Sequence, residues 1–172
     1  MKRACLFAST LIVFAGCRPN TALKGLNALR EIRIERRTIL TLGGQMPQAS
    51  DFCTWSGATC TLKPGRFGGA EKMSLNKTES GLISRFQFEY GVLSDDAVDA
   101  QIDDYTRLLG KPLRDSTVRS GEFDIRELGW SDSATTFVLS YKTDGNHTEA
   151  SAKLLDNALA GVAAGIDRKV AP

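Results

Sequence analysis

Imidazole is nearly absent from this chain: of its 172 residues, His147 is the only histidine. Histidine-based dyads, triads and zinc sites that draw on two imidazoles need more than this one ring supplies. No phosphate-cradling glycine loop occurs, which excludes a nucleotide site of that kind. After residue 16 no apolar stretch approaches the roughly 20 residues a membrane-spanning helix requires. A basic excess is missing too, with 22 Lys+Arg against 20 Asp+Glu and no Lys/Arg-dense face. Nucleic acid is therefore excluded as an expected partner, because affinity for phosphates rests on basic charge. The apolar fraction of 42% and charged fraction of 24% are those of an ordinary globular domain.

What is present is concentrated first at the amino terminus. Lys2 and Arg3 give a positive start, and Ala4 to Ala15 is apolar apart from Ser9 and Thr10. This run is too short to cross about 30 Å of hydrocarbon at 1.5 Å per helical residue. Its length and flanks are those of a cleavable export signal. Phe14-Ala15-Gly16-Cys17 resembles the lipobox of bacterial lipoproteins, with Phe14 where that family commonly has leucine. The resemblance implies cleavage before Cys17, lipid on the Cys17 thiol, and attachment to a membrane through that lipid. The alternative is an ordinary secretory signal with an incidental cysteine beside the cut. Arg18 stands where an aspartate would mark inner-membrane retention, so the resemblance implies the periplasmic face of the outer membrane. Two or three acyl chains, at about 0.8 kcal/mol per buried methylene, would hold the chain there essentially permanently.

Removing residues 1–16 takes Lys2 and Arg3 with it, leaving 20 basic and 20 acidic residues and a formally neutral domain. Of the four cysteines, Cys5 leaves with the signal and Cys17 is assigned to lipid, so Cys53 and Cys60 remain. In an exported protein such a pair is expected as a disulfide. The segment Cys53–Cys60 reads as a tight hairpin turning at Ser56-Gly57, or through a four-residue loop at Trp55–Ala58; both place Cys53 opposite Cys60. Two cysteines without a second imidazole do not close a zinc site, and the spacing is not that of a redox Cys-x-x-Cys.

The expected organisation is a signal at 1–16, a lipid-anchored tether at 17–28, one α+β domain at 29–168 and a tail at 169–172. Leu26, Leu29 and Ile32 suggest a short amphipathic helix, and Thr38–Leu42 a strand. Arg30, Arg33, Arg36 and Arg37 read as a solvated face partly neutralised by Glu31 and Glu35, with contact to anionic headgroups as the alternative. Met73 and Leu75 alternate up to a turn at Lys77–Gly81. Leu82–Tyr90 then alternates well, setting Leu82, Phe86, Phe88 and Tyr90 on one face of a strand. Ser94, Asp95 and Asp96 offer caps for a helix carrying Val98, Ile102, Tyr105 and Leu109, stopped by Gly110 and Pro112. Phe123–Trp130 and Phe137–Tyr141 form a further hairpin turning at Ser131–Ala134. A last helix is expected from Glu149, with Ala152, Leu155, Leu159, Val162 and Ile166 at steps of three and four and with Gly161 and Gly165 packed close on a sheet. The resulting fold class is α+β: an antiparallel sheet of hairpins with two helices on one face, in the order hairpin–helix–hairpin–helix, a two-layer sandwich.

Side chains patterned for chemistry are sparse. His147 sits in the turn Asp144–Thr148 and reads as a surface residue. Asp95, Asp96, Asp99, Asp103 and Asp104 do not match a calcium loop and read as an acidic, capped helix face. Glu89, Glu122 and Asp124 are conceivable hydrolase carboxylates that no spacing singles out. Leu108-Leu109-Gly110-Lys111-Pro112, followed by Trp130 on a strand, looks like the small lipoproteins of the outer-membrane β-barrel assembly machine, which carry a Leu-Gly-x-Pro helix end and a Trp-bearing sheet. The sequence therefore implies an envelope lipoprotein with a non-catalytic protein-binding or structural domain, no cofactor, and as partners a membrane and an envelope protein. The alternatives are an accessory role in outer-membrane assembly, or a small ligand or lipid held between helix and sheet against Phe86, Phe88, Tyr90 and Phe137.

Overall fold

Residues 149–156, expected to open the last helix, run straight. The computed structural model of the chain describes residues 25–34, 38–47, 53–62 and 69–161. Among these, Thr148–Asp156 is a strand, β10, hydrogen-bonded on both sides. Before it come β1 (Glu31–Ile34), β2 (Thr38–Thr41), β3 (Cys53–Ser56), β4 (Thr59–Leu62), β5 (Lys72–Lys77), β6 (Ile83–Leu93), α1 (Asp95–Leu109), β7 (Arg114–Ser120), β8 (Phe123–Ser131) and β9 (Thr135–Thr143). Strands β1 and β2 pair with each other, and the other eight form one antiparallel sheet in the order β3-β4-β5-β6-β10-β9-β8-β7. The expected α+β sandwich with two helices is thus corrected: the described chain is mostly β, with α1 its one α-helix.

The physical reason lies in β10. Its sequence carries both a three-and-four repeat and a period of two, and its alanines favour a helix in isolation. The edges of β6 and β9 decide between the two, because a strand there satisfies its backbone on both flanks. Thr148, Ala150, Ala152, Leu154 and Asp156 are then buried, while Glu149, Ser151, Lys153 and Leu155 point to the other face. The expected helix residues 162–166 and Gly165 lie outside the described residues. Among the described residues, a Cβ at Gly161 would meet nothing within 4 Å.

The same alternation builds the rest of the buried face: Phe86 and Tyr90 from β6, Phe137, Leu139 and Tyr141 from β9, Leu128 and Trp130 from β8. The expected core position Leu82 is taken by Ile83, which is fully buried. A bulge causes this: Asn76 pairs with Arg85 but Lys77 pairs with Ile83, so Ser84 is an extra residue that inverts the alternation. A second irregularity falls at Tyr90, because Ala150 pairs with Gly91 while Ser151 pairs with Glu89. Gly91 has φ +72°, a value that favours glycine.

Helix α1 forms as its pattern predicts. The Ser94 hydroxyl accepts from the Ala97 N–H at 3.4 Å, and Gly110, at φ +86°, donates its N–H to the Thr106 carbonyl at 2.8 Å. Val98, Ile102, Tyr105 and Leu109 pack against the core from this helix. The Trp130 indole N–H donates to the Gly110 carbonyl at 2.8 Å, tying the helix end to β8.

The expected short helix at Leu26–Ile32 divides into a 3-10 turn at Gly25–Leu29 and strand β1, which holds Ile32. Arg30 between them is corrected from a solvated face to a lock. Its guanidinium donates to Asp156 Oδ2 at 2.6 Å, Thr135 Oγ1 at 2.6 Å and the Leu42 carbonyl at 2.9 Å. The bond Cys53–Cys60 is present, but the register is not the expected one. Gly57-Ala58 forms the turn, Ser56 pairs with Thr59, Trp55 faces Cys60, and Cys53 faces Leu62. Gly57, at φ +59°, takes the left-handed position such a two-residue turn requires. The disulfide therefore runs diagonally across the hairpin, between Cα atoms 5.6 Å apart.

Candidate functional site

Where α1 and the 3-10 turn lie over the sheet, they leave a cleft of about 260 Å³. Phe88 and Tyr90 from β6, Phe137 from β9 and Leu154 from β10 come from the sheet; Tyr105 comes from α1, and Leu29 and Ile32 from the amino-terminal elements. Each sheet residue arrives by period-two alternation, whereas Tyr105 arrives by the helical repeat seven residues after Val98. Glu31 and Arg33, both exposed on β1, provide the charged groups at the cleft.

The walls are largely aromatic. Tyr105 and Phe137 have ring centroids 4.7 Å apart at a tilt of 42°, and Phe88 stacks on Tyr90 at 6.5 Å; Trp130, outside the cleft, backs Phe137 at 5.7 Å. The Tyr90 and Tyr105 hydroxyls are hydrogen-bonded to each other at 2.8 Å. Burial pushes the Tyr90 phenol far above its ordinary value, with the neighbouring Tyr105 adding to the effect. Tyr105 is raised by burial as well, and its bond to Tyr90 opposes part of that rise. Both rings are neutral at physiological pH. The cleft thus offers apolar surface and a phenol pair whose hydroxyls already serve each other, a setting for holding an apolar group.

Of the four aromatics expected to face a ligand, Phe88, Tyr90 and Phe137 come together here. Phe86 does not; it is fully buried in the core. Tyr105, Leu29 and Ile32 were not expected at a site, since their spacing signals a packed face and says nothing of what the face leaves open. Cys17 lies outside the described residues. His147 is exposed, its Nδ1 3.7 Å from Asp144 Oδ1. Asp144 accepts from the His147 and Asn146 backbone N–H groups, which hold its carboxyl below the usual range. Glu89 pairs with Lys72, Asp124 with Arg119 and Asp104 with Arg107. Asp95, Asp96, Asp99 and Asp103 are exposed on α1. Among the described residues, no three His, Cys, Asp or Glu side chains gather where they could hold a metal ion.

Comparison with protein-family models, with curated proteins and with solved structures returns no match for this chain.

Proposed function

We propose that this chain is a lipid-anchored lipoprotein of a bacterial envelope whose domain binds a small apolar ligand between α1 and the sheet. The observation that carries the binding function is the aromatic cleft of about 260 Å³. An apolar cavity of about 150 Å³ is enough to hold a benzene ring, so this one takes a ring system or a short acyl segment. The anchor rests on the amino-terminal sequence and on the cysteine count, which pairs Cys53 with Cys60 once Cys17 is given to lipid.

The cleft is tested with the neutral fluorophore N-phenyl-1-naphthylamine and the Cys17→Ala chain, purified without detergent. Saturable fluorescence enhancement is expected, and Ile32→Trp, which fills the cleft, should weaken binding at least tenfold without lowering the thermal midpoint by more than a few degrees. Enhancement that never saturates, or that ignores Ile32→Trp, counts against the binding reading. Mass spectrometry of the native amino terminus tests the anchor, and an unmodified terminus at any other residue defeats it.

Protein binding is the second reading. The outer edge of β7 supports it, a seven-residue strand paired on one side only among the described residues, with Leu113 76% and Val118 58% exposed beside it. An added strand from a partner would complete that edge.

A further inference from the structure

We infer that the sheet face opposite α1 carries a second binding site, which takes a single-chain acidic amphiphile, its carboxylate on Arg85 and Lys153 and its alkyl chain along the sheet toward β7. A groove of about 400 Å³ lies on this face, within the range of small-molecule sites, and shares no residue with the aromatic cleft.

The charge at one end is unbalanced. Arg85 lies opposite Leu155 in the pairing of β6 with β10, which makes Lys153 its diagonal neighbour two residues along β10. Two cations at that spacing repel each other unless an anion lies between them. Arg85 Nε is buried and has no hydrogen-bond partner among the described residues. Such an atom calls for a missing partner, because a buried donor left unsatisfied is costly. No acidic side chain lines the groove. The nearby carboxylates are engaged elsewhere: Glu89 with Lys72 at 3.1 Å, and Glu127 with Arg114 at 3.1 Å. Arg114, the groove's third cation, is thereby neutralised at the far end.

Beyond the two cations the lining is mostly apolar. Leu155 stands beside Arg85, Val138 and Leu113 lie further toward β7, and Gly129 leaves a hollow inside β8 where a side chain would otherwise stand. Glycine inside a strand marks a bulge, a bend, or the close approach of a ligand or another backbone, and the pairing of β8 with β7 and β9 runs through Gly129 without a bulge. The Thr136 hydroxyl is already bonded to Ser131 and Asn157, so that wall presents no free polar group from this residue. From β6 to β7 the groove crosses four strand spacings, roughly 19 Å at about 4.8 Å each. A cationic end, an apolar floor and that length fit an alkyl carboxylate better than a free anion, which would leave the floor unused, or a neutral hydrocarbon, which would leave the cations unpaired.

The experiment titrates the full chain carrying Cys17→Ala, free of detergent, with dodecanoate below its critical micelle concentration, using calorimetry. Dodecyltrimethylammonium and acetate are titrated in parallel. One saturable site is expected for dodecanoate, with both comparison ligands at least tenfold weaker. Lys153→Gln, an exposed substitution, should lower dodecanoate affinity at least fivefold, and adding Arg85→Gln should lower it further. Gly129→Val fills the hollow with both cations intact; its Cβ would meet only Arg114 Cβ, at an ordinary 3.5 Å. It too should weaken binding at least fivefold while circular dichroism shows the fold unchanged. Ile32→Trp should leave dodecanoate affinity as it was. The inference is overturned by no binding, by equal binding of the cationic detergent or of acetate, by indifference to Lys153→Gln and Gly129→Val, or by loss of dodecanoate binding in Ile32→Trp, which would put that ligand in the aromatic cleft instead.

Discussion

Arg30 donates four hydrogen bonds, to residues from three separate stretches of the chain. Its guanidinium is 19% exposed and the Asp156 carboxylate 10%, so the pair is largely out of water. Asp156 Oδ1 meanwhile accepts the Ala158 and Leu159 N–H groups, both at 3.1 Å. Removing one member of a buried pair strands the other, which typically costs about 3–5 kcal/mol. Arg30→Met should therefore lower the unfolding free energy by about 3 kcal/mol in urea titration, and by less in an Asp156→Asn background, where the pair is already broken. Gly43 closes over the same lock: at φ +82°, its Cβ would stand 2.7 Å from Asp156 Oδ2, which leaves no room for a side chain. None of this was legible in the sequence. Arg30 is one of four arginines in eight residues, and its partner is 126 residues away, so nothing local distinguishes it from its solvated neighbours. Arg85 and Lys153 escaped notice for the same reason, since they become neighbours only through the pairing of β6 with β10.

Elements whose pattern is internally consistent were readable. Helix α1, with its cap, its stop and its four core-facing residues, and the hairpin of β8 with β9, follow from local periodicity and turn chemistry alone. Strand β7 was not, because Arg-Asp-Ser-Thr-Val-Arg-Ser has no apolar face to alternate; as an edge strand it buries none of its residues and needs no such face. In β10 two periodicities coexist, and only knowledge of the open edges beside it selects between them. The disulfide hairpin is an intermediate case: the partners were evident, while the register hinged on whether Gly57 is the first or second residue of the turn. Replacing both cysteines by serine releases a loop spanning a sequence separation of 7, worth about 2–3 kcal/mol in the chain-entropy account. Because β3 is the outermost strand, the loss should be local. Amide hydrogen exchange is expected to accelerate within 53–62 while the amides of β9 and β10 keep their protection. Uniform acceleration would instead show that the hairpin supports the entire sheet.

At the scale of the molecule, the chain's three tyrosines converge from β6, α1 and β9. Tyr90 bonds Tyr105, and the Tyr141 hydroxyl donates to Gln101 at 2.9 Å. Burial raises all three phenols above their ordinary value near 10. Above that pH the unfolded chain sheds phenolic protons that the folded chain keeps, so stability falls as pH rises. Ultraviolet titration should show the tyrosines of the folded protein resisting ionisation past their ordinary range, then a cooperative rise as it unfolds. Independent titration near pH 10 in protein that circular dichroism shows to be folded would contradict the burial described. Strand β10 also orders the assembly of the sheet in time. A chain is made from its amino terminus, so the two flanks of the sheet exist before the strand that joins them. Until Thr148–Asp156 arrives, β6 and β9 each carry an open edge, which invites pairing with another molecule. The contacts that close the gap on the β6 side are long-range and slow to form. The molecule's exposure to aggregation is thus set by how quickly β10 finds its slot.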